Sequence, residues 1–213
     1  METPVRQVVV RDLRVDETAA AAGVLGHGMR DNPLHQCVFG ADAAGRESAL
    51  RRLFTELLAQ YHPKGAILGA FAGDDLVGVC AMVRPGRCQA GLREKLGLLR
   101  AIVRGNPPAA PLAALRWTSA WTRHDPQAPH WHLGPVGVRR DLQGHGVGTA
   151  LLRSFAERMD ARRDLAYLET DKQVNVPFYE RFGFEVVAQA PVLGIPNWFM
   201  ARTAASSIHP PRS

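Results

Sequence analysis

The chain has 213 residues, 46% hydrophobic and 22% charged, a balance that suits one soluble globular domain built around a single core. Its net charge of +6 comes mostly from arginines spread between Arg6 and Arg212 without a block of like charges. That pattern argues against a dedicated nucleic-acid arm and leaves a surface attractive to anionic ligands. The three cysteines, Cys37, Cys80 and Cys88, show no CxxC spacing and no neighbouring histidine cluster, so neither a disulfide framework nor a structural zinc site is expected. No stretch approaches the ~20 apolar residues of a membrane span, and a reducing, cytoplasmic setting is expected.

In chain order, Val5 to Arg11 is short and β-branched, a first strand, and Asp16 is placed to cap an Ala-rich helix running toward Gly26 and Gly28. Arg46 to Tyr61 carries Leu50, Leu53, Phe54, Leu57 and Leu58 at helical spacing. Two apolar runs, Ala66 to Ala72 and Leu76 to Val83, flank Gly73-Asp74-Asp75 and predict an antiparallel hairpin. Helices are predicted over Leu92 to Val103 and Leu112 to Trp121, separated by Pro107, Pro108 and Pro111. Trp131 to Val138 reads as a strand, Val147 to Met159 as an amphipathic helix, Leu165 to Thr170 as a strand and Val176 to Phe182 as a short helix closed by Gly183. Glu185 to Ala190 and Trp198 to Arg202 are the final strands, and Ala204 to Ser213 a flexible tail.

Gln143-Gly144-His145-Gly146-Val147-Gly148-Thr149 falls where a strand ends and a helix begins. Unpaired amides at such a turn form a cup for phosphate, glycines let a pyrophosphate approach the backbone, and the helix N-terminus adds partial positive charge. A tight turn without a ligand would look similar. The P-loop is excluded because no lysine stands between Gly148 and Thr149, and the Gly144, Gly146, Gly148 spacing is wrong for a dinucleotide fingerprint.

The Gln/Arg-x-x-Gly-x-Gly/Ala pattern of Gln143, Gly146 and Gly148 resembles the GNAT acetyltransferase superfamily. Leu168-Glu169-Thr170 and the run from Asn175 to Phe184 resemble the second half of that family's cofactor site. Residues 131–202 are similar to the puromycin N-acetyltransferase group of small-molecule acetyltransferases, whereas Arg84 to Pro129 matches nothing residue by residue. The resemblance implies a mixed α/β single domain over residues 1–203, with a mostly antiparallel sheet splayed at strands 4 and 5 and flanked by helices. It places the cofactor half at about 130–202 and acceptor-side elements at about 1–129.

It also implies acetyl-CoA as cofactor, with the backbone of Val136, Gly137 and Val138 pairing with the pantetheine arm and Gly144, His145, Gly146, Val147, Gly148 and Thr149 holding the pyrophosphate. Asn175 and Tyr179 stand one helical turn apart and can reach one ligand. The family role for Tyr179 is proton donor to the leaving thiolate, a role open to a phenol that is neutral at pH 7. A backbone amide near Val138 would help the oxyanion, and no metal is needed. The acceptor's proton could go to Glu169, His132, His130 or a water chain, and the residues do not choose. The cysteines read as core or surface residues.

The implied acceptor is a small-molecule amine, approached by the N-terminal helices, the 84–129 segment and a loop from Pro191 to Asn197. A protein lysine or N-terminus and a non-catalytic CoA-binding module are the alternatives. Trp117 and Trp121 suggest either an aromatic acceptor surface or, more simply, packing. No specific nucleic acid or membrane partner is expected, and the assembly is a monomer or homodimer.

Overall fold

The computed structural model describes residues 8–203; the first residues of the expected opening strand and the tail from Ala204 lie outside the described residues. Seven strands form one sheet in the order β1-β2-β3-β4-β5-β7-β6. They are β1 (Val8–Asp12), β2 (Gly65–Ala72), β3 (Asp75–Val83), β4 (Trp131–Val138), β5 (Ala166–Thr170), β6 (Glu185–Val192) and β7 (Ile195–Arg202). Every neighbouring pair is antiparallel except β4 and β5, which run parallel. The helices are α1 (Thr18–Met29), α2 (Pro33–Phe39), α3 (Ala43–Tyr61), α4 (Leu92–Val103), α5 (Ala110–Thr122), α6 (Val147–Arg162) and α7 (Val176–Glu180). The mixed, mostly antiparallel sheet flanked by helices agrees with the expected fold class.

Strand alternation sorts side chains onto two faces. On one, Ile67, Phe71, Val79, Ala81, Tyr167 and Phe199 pack beneath α1, α2, α3 and α5. On the other, Leu68, Cys80, Met82, Leu133, Leu168 and Met200 pack beneath α6 and α7 through Leu151, Leu152, Phe155, Met159 and Tyr179. Gly78 lies close under α6, with Val147 Cγ1 and Leu151 Cδ1 occupying the space a side chain there would need. Trp117 is buried and makes edge contacts with Trp121 and His35, while Trp121 donates from Nε1 to Asn197 Oδ1 at 3.1 Å. The tryptophan pair therefore packs α5 onto the core, as the simpler reading held.

Several local expectations change. Asp16 does not cap α1: it lies in a 3₁₀ turn, Val15–Glu17, with its carboxylate beside Arg14. Glu17 closes that turn, accepting from the Arg14 amide at 2.8 Å and from both terminal nitrogens of Arg11. Helix α3 starts earlier than Arg46 because the Asp42 carboxylate accepts from the amides of Ala44 and Gly45. Helix α2 was not foreseen: it has seven residues, and the carboxylate bonded to its Leu34 amide at 2.8 Å belongs to Asp171, far away in sequence.

Helix α7 stops at Glu180 because the amides of Phe182 and Gly183 bond back three residues, to Tyr179 and Glu180, in a tighter turn. The expected loop from Pro191 to Asn197 is mostly strand, reversed at Leu193-Gly194. Its prolines oppose each other, Pro191 to Pro196, beyond Trp198 where pairing of β7 with β5 ends, so Pro196 breaks no ladder with β5.

Candidate functional site

The parallel pair is short. β4 and β5 are paired at Trp131 with Ala166 and at His132 with Tyr167, and beyond His132 the strands part. On its other side β4 stays paired to β3 as far as Val138 with Gly78. Val136, Gly137 and Val138 thus keep one satisfied edge and turn the other toward a cleft of about 380 Å³. The expected break near Gly134-Pro135 coincides with a register shift opposite Cys80 and Met82.

The floor of this cleft is the turn from β4 into α6. Gly144 and Gly146 have φ of +81° and +85°, and an ideal Cβ on either would meet nothing within 4 Å. These glycines are there for backbone conformation, and they leave open space over the turn. The Ala150 amide is the first to bond back, to the Gly146 carbonyl at 3.0 Å, so the amides of Val147, Gly148 and Thr149 are the donors that a helix leaves to an outside partner. A cup of amides at a helix N-terminus suits a phosphate group.

Not every residue expected here acts through its side chain. Gln143 donates from Nε2 to the carbonyls of Val138 at 3.0 Å and Gly28 at 3.2 Å, tying the turn to β4 and to the end of α1. The Val147 side chain is buried under α6, leaving only its amide for a ligand. His145 is exposed with Nδ1 against the Gln143 carbonyl, and it does not line the cleft. Asn175 and Tyr179 both do, and Asn175 donates to Thr170 Oγ1 at 3.3 Å, joining the approach to α7 to the end of β5. Burial, then the neighbouring Cys80 and Asp171, pushes the Tyr179 phenol upward, so its proton stays on at neutral pH.

Tyr179 belongs to the α6 face, whereas the opposite face of the splay carries His132 and Glu169, with Nε2 and Oε2 3.2 Å apart. Burial lowers the His132 pKa, but the charge and hydrogen bond of Glu169 outweigh it and the net shift is upward. His132 Nδ1 and Glu169 Oε1 are buried with no hydrogen-bond partner among the described residues. His130 points elsewhere: Nδ1 lies 2.9 Å from the Ala128 carbonyl and Nε2 4.0 Å from Cys88 Sγ. The expectation that no histidines gather near a cysteine needs correction, since Cys88, His130 and His132 offer atoms within 4.8 Å of one another. They lie on separate segments that the sheet brings together. Burial raises the Cys88 thiol, which keeps it a poor nucleophile, and Cys80 is buried and pushed up to about 12.

Gly28, Met29 and Asn32 at the end of α1, and Lys172 and Arg181 near α7, also line the cleft without having been foreseen. The α1–α2 connection is anchored by buried Arg46, which donates to the carbonyls of Arg30, Gly40 and Ala41 and pairs with Asp31 at 2.9 Å. Asp31 also pairs with Arg140, at the entrance to the glycine turn. A glycine inside a helix, as at Gly28, was the one available signal of such close approach; the cations carried none.

Residues 35–184 match the model of the acetyltransferase (GNAT) family. The solved structure of histone acetyltransferase HPA2 and related acetyltransferase from Corynebacterium glutamicum ATCC 13032 superposes with a TM-score of 0.70 at 24% identity, covering 94% of this chain and 98% of that one. The PaiA N-acetyltransferase of Thermoplasma acidophilum, solved with coenzyme A, gives 0.59 at 14% identity, covering 92% and 99%. An agmatine N-acetyltransferase gives 0.60 at 17%, with the same coverage.

Proposed function

Because the chain belongs to the GNAT acetyltransferase family, and so is an enzyme whose cofactor is acetyl-CoA, we propose that it transfers an acetyl group directly to a primary amine of a small molecule. The observation that carries this reading is the splay itself: an unpaired strand edge, with an acid on one sheet face and a half-buried imidazole–carboxylate pair on the other. The residues fit the cofactor. The free edge of Val136, Gly137 and Val138 suits an extended amide-bearing arm, and the amides of Val147, Gly148 and Thr149 over the open turn at Gly144 and Gly146 suit its pyrophosphate. Lys172 and Arg181 add positive charge at the cleft.

Bound there, acetyl-CoA supplies an acetyl thioester. His132, set by Glu169, accepts the proton of the incoming amine at Nε2 or through a water, and Tyr179 holds a proton at Oη for the leaving sulfur. An amide of β4 near Val138 is the donor for negative charge developing on the carbonyl oxygen. A half-buried pair of this kind is reached more readily by a compact amine than by a residue on a flat protein surface.

Calorimetry with acetyl-CoA tests the cofactor site. Wild-type protein is expected to bind it and a folded Gly146→Glu variant to lose it, since a carboxylate in the cup repels the pyrophosphate. Thiol release with an amine panel then tests the acceptor class. Turnover with lysine peptides but with no free amine would move the acceptor to protein, and binding without any thiol release would leave a CoA-binding module.

A further inference from the structure

Beside the His132–Glu169 pair stands a second carboxylate that proton transfer does not require. Asp125 follows α5 and is held by Gln89, whose Nε2 donates to Oδ2 at 3.0 Å. Asp125, His132 and Glu169 offer atoms that all lie within 4.8 Å of one another. The Glu169 side chain is only 2% exposed, yet neither carboxylate has a Lys or Arg partner among the described residues; the nearby Lys64 is engaged by Glu94 at 2.6 Å. Two carboxylates this close, Glu169 removed from water and Asp125 half-buried, with only an imidazole between them, are expensive to maintain for structure alone.

An independent feature points into the same space. Tyr167 is fully buried, its hydroxyl has no hydrogen-bond partner among the described residues, and its ring meets His130 and His132 edge-on. Burial, then the charges of Glu169 and Asp125, drives its phenol upward, and Tyr61 on α3 feels the same two carboxylates. An unpaired hydroxyl, an unpaired carboxylate oxygen and two tyrosine rings suit the N–H donors and the positive charge of an ammonium group.

We propose that Asp125, Glu169, His132 and Tyr167 form a cation subsite that admits the acceptor as an alkylammonium ion, making the substrate a strongly basic aliphatic amine and not a weakly basic aromatic one. The inference rests on the acetyltransferase reading above. The ion is held by the two carboxylates. An N–H bond then breaks, the proton passes to neutral His132, and the electron pair stays on the amine nitrogen.

The test uses full-length protein loaded with coenzyme A, which has no acyl group to transfer, titrated with n-butylamine, 1-butanol and aniline at pH 7. Butylammonium is expected to bind at least about tenfold more tightly than butanol or aniline. Asp125→Asn should remove that preference and Asp125→Glu should restore it, with coenzyme A affinity unchanged in both. Equal affinity for amine and alcohol, or a preference that survives Asp125→Asn, would overturn the proposal. So would tight one-to-one zinc binding without ammonium affinity, which would make these residues a metal centre. Failure to bind coenzyme A at all would instead count against the cofactor site, and it is read separately in the first titration.

Discussion

Two of the three glycines in helix α1, Gly23 and Gly28, should respond in opposite directions to replacement by alanine. An ideal Cβ at Gly23 meets nothing within 4 Å, so Gly23→Ala should gain the ordinary helix preference of alanine, about 1 kcal/mol. At Gly28 the same atom would fall inside 3.0 Å of the Val138 carbonyl oxygen, 3.1 Å from its carbon and 3.2 Å from its nitrogen. Both partners are backbone, so no side chain can swing aside and α1 must lift from β4. Overpacking of this sort costs about 1–3 kcal/mol, and a backbone-on-backbone clash belongs at or above the upper end. After the propensity gain, Gly28→Ala should lose about 2 kcal/mol, or about 4–8 °C in thermal midpoint for a chain of this size, where Gly23→Ala gains about 2–4 °C.

The lift also separates the Gly28 and Val138 carbonyls that Gln143 bridges, so acetyl-CoA affinity should fall along with stability. Differential scanning calorimetry and acetyl-CoA titration of the two variants read both effects. Equal midpoints for Gly23→Ala and Gly28→Ala would refute the claim that α1 is seated on the backbone of β4.

Tyr179→Phe should lower kcat about 100-fold, near the low end of general-acid effects because a thiolate already leaves readily, with acetyl-CoA affinity unchanged in calorimetry. Asp171→Ala removes the partner of the Leu34 amide and should cost about 1 kcal/mol, a fall of about 2–4 °C in a thermal melt. Arg46→Met leaves the carbonyls of Arg30, Gly40 and Ala41 without their donor, while Asp31 keeps Arg140, and should cost about 3 kcal/mol, read by urea unfolding. The His132 pKa is raised in the folded state, so its contribution to stability is complete below its unfolded pKa and is lost as pH rises through the folded value. The thermal midpoint should therefore decline over that window in wild type and stay flatter in His132→Gln, while kcat/KM rises over the same window as the imidazole becomes neutral.

The sequence determined much of this protein by itself. Strand β4 and helix α4 were legible to the residue, because a sustained period of two or of 3.6 is a local property. The glycine turn was legible because the need for positive φ at Gly144 and Gly146 is written into residue type. Tertiary structure decided what depends on partners distant in the chain. The cap of α2 comes from Asp171, just past the end of β5, the Asp31–Arg140 pair joins two distant segments, and Pro191 and Pro196 become strand because they face each other. Among the four candidates for the base, only the parting of β4 and β5 just beyond His132 and Tyr167 joins His132 to Glu169 at the mouth of the splay and turns His130 toward Cys88. Asp125, beside them, lay in a segment that resembled nothing. Pairing of buried charges is a property of three-dimensional neighbours, and no local period records it.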